Sequence, residues 1–328
     1  MTHFPVSNSN LSATHIALFL QEKYSLSKNT KCKLIRAGLN DTYLVTDDLE
    51  KFVFRVYSLN WRTHTEIAEE VKLLVELKQN NIPVSYPLAD KESNFIQVLN
   101  APEGARFAVL FTYANGEKIH NYSAAQHFQI GELMARLHKV TINQQLNRVN
   151  YSAQVILVEP LKYIADFLGT DTAEMQFMLA TQKKLIQEFK KVDTSKMRKG
   201  IVHFDIWFDN LNITKNKEVT LFDFDFCGNG WLCLDISYYI LQLHNIKKYD
   251  AKAYQPKIEN FLKGYESVTK LSAEEKRLIP ILGVSLYYFY LGIQCQRYEN
   301  WSNSFLSENY LKRYINGLVK RYYDLYNK

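Results

Sequence analysis

The chain has 328 residues, 47% of them apolar and 14% aromatic, which is enough for a large core and too much for one small domain, so one or two compact lobes are expected. Its 40 basic and 34 acidic side chains leave a net charge of +6 with no long block of one sign, which gives no reason to expect a nucleic-acid partner. Cys32, Cys227, Cys233 and Cys295 form no C-x-x-C pair and lack zinc spacing, so reduced, mostly buried thiols are expected.

The N-terminal stretch carries no basic leader, and its longest apolar run, Ile16 to Leu20, is too short for a signal core or a membrane span. A cytoplasmic protein without a membrane partner is therefore expected. Residues 11 to 24 pattern as an amphipathic helix with Asn10 or Ser12 as its N-cap. Thr42 to Thr46 and Phe52 to Tyr57, rich in β-branched and aromatic residues, flank a polar DDLEK and predict a hairpin. The turn into it is the stretch from Gly38 to Asp41.

A helix follows from Thr63 to Gln79, stopped by Asn80, Asn81 and Pro83. At about 100° per residue, Ile67, Val71, Leu74 and Leu77 share one face, and Glu70 lies inside that stripe. A carboxylate on a buried face needs a partner, because an unpaired buried charge is expensive. Strands are expected over Phe95 to Leu99 and Phe107 to Phe111. Beyond Gly116 the pattern is mainly helical: 124 to 140, 161 to 167, 173 to 190, 237 to 244, 257 to 265 and a long tail. In that tail Leu311, Ile315, Leu318 and Tyr322 fall on one face. The fold class is α+β, a small sheet-bearing half followed by a larger helical half, with the boundary near Gly116.

The helical half is interrupted by IVHFDIWFDNLNI at 201 to 213 and VTLFDFDF at 219 to 226. His203-x-Asp205, Asn210 five positions on, and Asp223 on an apolar strand have the spacing of a kinase catalytic loop and its metal-binding aspartate. Phosphoryl transfer needs these types: a magnesium ion on ATP phosphates takes amide and carboxylate oxygens, and a further carboxylate orients the acceptor hydroxyl and takes its proton. Asp205 is the candidate catalytic carboxylate, and Asn210 and Asp223 are the candidate metal ligands. On a strand Asp225 points to the same side as Asp223, so it is a second ligand or a supporting group.

These motifs resemble the aminoglycoside phosphotransferase and choline kinase superfamily, which shares the bilobal protein-kinase fold. The branch of type II homoserine kinases and bacterial stress-response kinases is the most similar. The resemblance rests on GLNDTYLV (38 to 45), FVFRVY (52 to 57), IAEEVKLLVEL with NNIPVSYPL, FAVLFTYANGEKI, GELMARLH, the catalytic run and GNGWLCLD, in the family's order. It implies a nucleotide-binding lobe over 1 to 115 and a catalytic and substrate lobe over 116 to 328. It further implies that Arg55 takes the place of the phosphate-contacting lysine with Glu70 as its partner, that Thr112 to Ala114 form the hinge at adenine, that His203 organises the loop and that Asp235 braces it. ATP and Mg2+ are the implied cofactors.

Three positions depart from the family. Arginine stands at 55, which keeps the charge and changes the contact geometry. No G-x-G-x-x-G follows Gly38, so phosphates must rest on backbone amides of Leu39, Asn40 and Thr42. Phe204 fills a position that is often glycine. His138 is expected as a packed or capping histidine. The expected acceptor is a small hydroxyl-bearing metabolite with an amine, held against Trp207 and Phe208 with Asp209 as counter-charge. A protein serine or threonine is the alternative acceptor, and a non-catalytic nucleotide-binding module is the alternative from another class.

Overall fold

The computed structural model describes residues 4–246 and 251–326, so the first three residues of the N-terminal stretch lie outside it. The chain divides into two compact units, Met1–Asn115 with Glu299–Trp301, and Gly116–Tyr298 with Ser302–Lys328.

In the first unit α1 (Ala13–Tyr24) is capped by Ser12, and β1 (Lys31–Arg36), β2 (Asn40–Asp47) and β3 (Glu50–Tyr57) form an antiparallel meander. Then come α2 (His64–Gln79), β4 (Pro87–Leu88), β5 (Ile96–Ala101) and β6 (Gly104–Thr112), and the sheet order is β1-β2-β3-β6-β4 with β5 on β6. Thr63 and Glu66 close a capping box that starts α2. Strand alternation splits the sheet into two faces. Tyr43, Val45, Phe54, Val56, Ala108 and Leu110 pack on Ile16 and Leu20 of α1. The same face carries Asp41 and the wholly buried Arg106, whose guanidinium bonds Asp41 at 2.9 Å and the carbonyls of Tyr57 and Ser9 at 2.8 Å. Arg55 lies on the opposite face and meets α2 there.

The second unit holds α3 (Ala124–Thr141), α4 (Pro160–Ala165), α5 (Ala173–Lys190), β7 (Lys199–Val202), β8 (Leu211–Ile213), β9 (Val219–Leu221), β10 (Gly228–Trp231), α6 (Cys233–Ile246), α7 (Ala251–Val268), α8 (Ala273–Gln296), α9 (Glu308–Tyr314) and α10 (Arg321–Tyr326). Two small antiparallel ladders, β7 with β10 and β8 with β9, hold the loop that follows β7. A Cβ at Gly131 of α3 would overlap the carbonyl of Phe261, and one at Gly264 of α7 that of Phe128, so the two helices touch backbone to backbone. By length and composition α8 could cross a membrane, but 72% of its most apolar stretch is buried within the protein.

Two sequence expectations shift. The tail helix passes through a π-turn at Ile315–Lys320, whose extra residue per turn moves the buried position from Leu318 to Val319. The strand expected to carry Asp223 ends at Leu221. All four cysteines are free thiols, Cys32 half-buried and the others buried.

Candidate active site

In the first unit, β3 and α2 build one buried ion pair. Arg55 Nη1 donates to Glu70 Oε1 at 2.9 Å, and the Tyr57 hydroxyl donates to Glu70 Oε2 at 3.1 Å. Glu70 is fully enclosed, while the Arg55 side chain keeps 10% of its surface open. Phe111 lies under the guanidinium, 5.1 Å from its ring centre. Thr42 is paired with Arg55 across β2 and β3, so it shares that face, and Asn40 shares it by strand period. The side-chain oxygen of Asn40 is buried with no protein partner. Leu39 lies in the bend before β2.

Thr112 is less suited to adenine than the family pattern implies. Its N–H donates to the Tyr86 carbonyl at 2.9 Å and its own carbonyl accepts from Ser85 Oγ at 2.5 Å, because β6 is still paired there. The next backbone without a strand role is at Tyr113 and Ala114.

In the second unit the loop after β7 is hung on one carboxylate. Asp235, the third residue of α6, accepts from the backbone N–H of His203 at 2.9 Å and of Phe204 at 2.6 Å. It also accepts from His138 Nε2 at 3.0 Å. The far nitrogen of His138 meets the Tyr265 hydroxyl at 2.8 Å, which Arg198, itself bound to Glu275, also reaches. His203 accepts at Nδ1 from the Asp205 N–H at 3.1 Å, so its proton sits on Nε2 and donates to the Phe222 carbonyl at 3.1 Å. One imidazole thereby ties Asp205 to the residue before Asp223.

Phe204 occupies the left-handed region at φ 70°, where a bulky residue is strained by about 1–3 kcal/mol. The ring is fully buried, stacked on Tyr151 at 3.6 Å and edge-on to Phe289 at 4.9 Å. Truncating a buried phenylalanine to alanine costs about 3–5 kcal/mol, more than the strain. The conformation that glycine would adopt freely is thus held by packing.

Asp205 is half-buried, and its carboxylate is surrounded by donors. Asn210 Nδ2 donates to Oδ2 at 2.7 Å and to the Asp205 carbonyl at 3.0 Å. Tyr290 of α8 donates to the Phe204 carbonyl at 2.5 Å and lies 3.4 Å from Asp205 Oδ1. Tyr238 of α6 also bonds the Asp205 carboxylate. Burial first, and then the Asp205 charge, push both phenols far above the ordinary tyrosine range, so they remain neutral donors. Asn210 and Tyr238 together fix the orientation of the Asp205 carboxylate.

Asn210 ends a short 3-10 turn (Phe208–Asn210), and its carbonyl accepts the Phe222 N–H at 3.0 Å, the last rung of the β8–β9 ladder. Asp223 follows that rung with φ 66°. Strand period therefore fails beyond Leu221, and Asp223 and Asp225 do not share a side as expected. Asp223 is half-buried, whereas Asp225 is 3% exposed in a turn whose carbonyl is held by Arg148. The Asn210 amide nitrogen is committed to Asp205, which turns the amide oxygen away from that carboxylate. No group of three His, Cys, Asp or Glu gathers among the described residues. Amide and carboxylate oxygens on their own suit a hard cation that keeps water ligands.

Asp209, expected as a counter-charge for an amine, has Lys118 Nζ 3.7 Å away, and its charge also acts on the Tyr122 hydroxyl. Sequence reading missed Tyr238, Tyr290, Tyr151 and Arg148. Each comes from a segment with no motif of its own, so only the folded chain brings them to the loop.

The family model described as "Phosphotransferase enzyme family" matches residues 31–271. A homoserine kinase of Methylobacillus glycogenes is 26% identical over 258 residues, covering 78% of this chain and 77% of that protein. The solved amicoumacin kinase hAmiN, in complex with AMP-PNP, Ca2+ and Ami, superposes with a TM-score of 0.77 at 19% identity, covering 96% of this chain and 97% of that one. The microcompartment-associated aminopropanol kinase gives 0.75 at 19%, covering 94% and 95%. At such identities the structural likeness establishes the α+β kinase-like fold.

Proposed function

Since the chain belongs to this phosphotransferase enzyme family, we propose that it transfers the γ-phosphoryl group of ATP to a hydroxyl of a small, amine-bearing metabolite. The observation that carries the reading is the Asp205 carboxylate, which accepts from Asn210 and bonds Tyr238, with the Tyr290 hydroxyl 3.4 Å away, on a loop fixed by Asp235. In this reading Asp205 aligns the acceptor hydroxyl and takes its proton as the new P–O bond forms. Asn210 and Asp223 hold Mg2+, which when bound neutralises charge on the phosphates. Arg55, kept in place by Glu70, contacts the phosphates, with backbone amides from Leu39 to Thr42 beside it, and the 113–114 backbone meets the base. The names of the homoserine kinase and aminopropanol kinase relatives support a small acceptor with both an amine and a hydroxyl.

The test is transfer of label from γ-labelled ATP, with and without magnesium, to amino alcohols, hydroxy amino acids, sugars and a generic protein. Label on a small acceptor, needing magnesium, is expected. Asp205→Asn should lower turnover by about two orders of magnitude or more while nucleotide affinity, read by calorimetry, is nearly kept. Label on protein and on no small acceptor would overturn the proposal, and near-normal turnover in Asp205→Asn would remove that residue's role.

A further inference from the structure

The stretch between α3 and α4 carries no motif, yet it grips the chain that follows Asp223. Asn229 of β10 is bonded to it through side chain and backbone alike. Its side-chain oxygen accepts the Leu146 N–H at 2.8 Å and its side-chain nitrogen donates to the Leu146 carbonyl at 2.9 Å. Its backbone N–H donates to the Val149 carbonyl at 2.9 Å, and its carbonyl accepts the Tyr151 N–H at 2.7 Å. Nearer to Asp223, Arg148 holds the Asp225 carbonyl, and the Tyr151 hydroxyl donates to the Phe226 carbonyl at 2.5 Å. Tyr151 is 3% exposed, so that bond is made away from water, where hydrogen bonds are strongest.

The ring of the same tyrosine touches the loop of Asp205. It lies on Phe204 with the ring centres 3.6 Å apart and the planes 2° apart, almost without offset. Ring quadrupoles do not favour two faces laid squarely together, so other bonds keep Tyr151 in place. Those bonds are its N–H on Asn229 and its hydroxyl on Phe226, with Phe289 packed edge-on at 5.6 Å. Phe204 is equally constrained: its φ is 70°, its N–H is held by Asp235 and its carbonyl by Tyr290. The residue before Asp205 and the carbonyl three residues after Asp223 therefore meet on one side chain.

We infer that Tyr151 is a positioning residue for the transfer reaction, holding the Asp205 loop by its ring and the chain after Asp223 by its hydroxyl, so that the two carboxylates keep one spacing. The inference rests on the phosphotransferase reading for the roles of Asp205 and Asp223, and on the contacts of Tyr151 alone for the spacing. His203 ties the Asp205 loop to Phe222, before Asp223, and Tyr151 ties it to Phe226, beyond Asp223, so the second carboxylate is bracketed from both sides. Phe204 gains a use from this. Glycine at that position would adopt the left-handed turn freely but would offer Tyr151 no ring to hold.

The experiment combines amide hydrogen exchange on the full chain without nucleotide, read by mass spectrometry, with kcat and KM for ATP and for the acceptor that takes label from the panel of amino alcohols, hydroxy amino acids and sugars. Tyr151→Phe keeps the ring and loses the hydroxyl. Exchange should rise about tenfold over 224 to 229 and stay at the wild-type level over 203 to 206, while kcat falls about tenfold. Both KM values should stay within about threefold of wild type, because neither substrate loses a contact. Tyr151→Leu loses ring and hydroxyl together, so exchange should rise over both stretches and kcat should fall about a hundredfold. Adding Phe204→Gly to Tyr151→Leu should recover at least about fivefold in kcat, since glycine takes the left-handed turn with no ring to hold it there. A tyrosine that merely filled the core would not be rescued by emptying the position it packs on. Wild-type exchange and kcat in Tyr151→Phe overturn the inference, as does a lower melting temperature with kcat per folded molecule unchanged. If wild type phosphorylates no acceptor in the panel, the phosphotransferase reading fails, and exchange alone decides for Tyr151: a rise over both stretches in Tyr151→Leu supports the tie, and unchanged exchange over 203 to 206 refutes it.

Discussion

Glu70 and Asp235 are both wholly buried carboxylates, one in each unit, but they hold different kinds of partner. Glu70 holds side chains, the Arg55 guanidinium and the Tyr57 hydroxyl. Asp235 holds backbone, the N–H groups of His203 and Phe204, and a histidine behind them. A side-chain partner can be exchanged for another of similar reach and charge. Backbone N–H groups cannot be exchanged, so the second carboxylate fixes the path of the chain itself. A buried charge in the first unit tunes one contact, while in the second it fixes the chain at His203 and Phe204, just before Asp205.

The comparison is sharpest at Asp235. Asp235→Ala strands two N–H donors and His138 in a buried site, and should cost about 3–5 kcal/mol in chemical denaturation. Turnover should be lost along with it, and Asp235→Asn, which keeps one acceptor oxygen, should recover part of both. If Asp235→Ala melts like wild type, the carboxylate does not brace the loop. A smaller effect, confined to nucleotide use, is expected in the first unit. Glu70→Ala and Arg55→Ala should each raise the KM for ATP by about tenfold or more, with the double variant little worse than either, because each acts through the other. Additive losses would show that the pair is not a unit and erase the contrast with Asp235. The smallest effect belongs to Tyr290→Phe, which removes one hydroxyl from the Phe204 carbonyl and from the neighbourhood of Asp205. About 1 kcal/mol of stability and a several-fold fall in kcat are expected, since Asn210 and Tyr238 still hold the carboxylate. A fall as large as that of Asp205→Asn would mean that Tyr290 itself touches the reacting atoms.

The same contrast governs how much could be read in advance. Glu70 announced itself because a 16-residue helix has a regular phase, and a carboxylate between Ile67, Val71 and Leu74 stands out from it. Asp205 and Asn210 were legible from their spacing, which survives as a direct hydrogen bond. Asp223 is legible by type and position but not by side: the ladder stops before it and the backbone turns left-handed, which periodicity does not encode. The π-turn that replaces Leu318 by Val319 is the same kind of failure. Arg106 was not singled out, since nothing local distinguishes an arginine that five acceptors will enclose from one on the surface. Tyr290 lies 85 residues from the carboxylate it approaches, and contacts at that separation leave no pattern in one sequence.

Gly131 and Gly264, by letting α3 and α7 meet at their backbones, set a length as well as a contact. Helix α3 carries His138, which anchors the Asp205 loop through Asp235, and His127, which bonds Tyr239 of α6. At 1.5 Å per residue these two imidazoles are roughly 16 Å apart along one stiff rod. The rod cannot slide on α7 without driving a carbonyl into a glycine. The contact of His127 with α6 and the anchor of the Asp205 loop are therefore kept at one fixed spacing along α3.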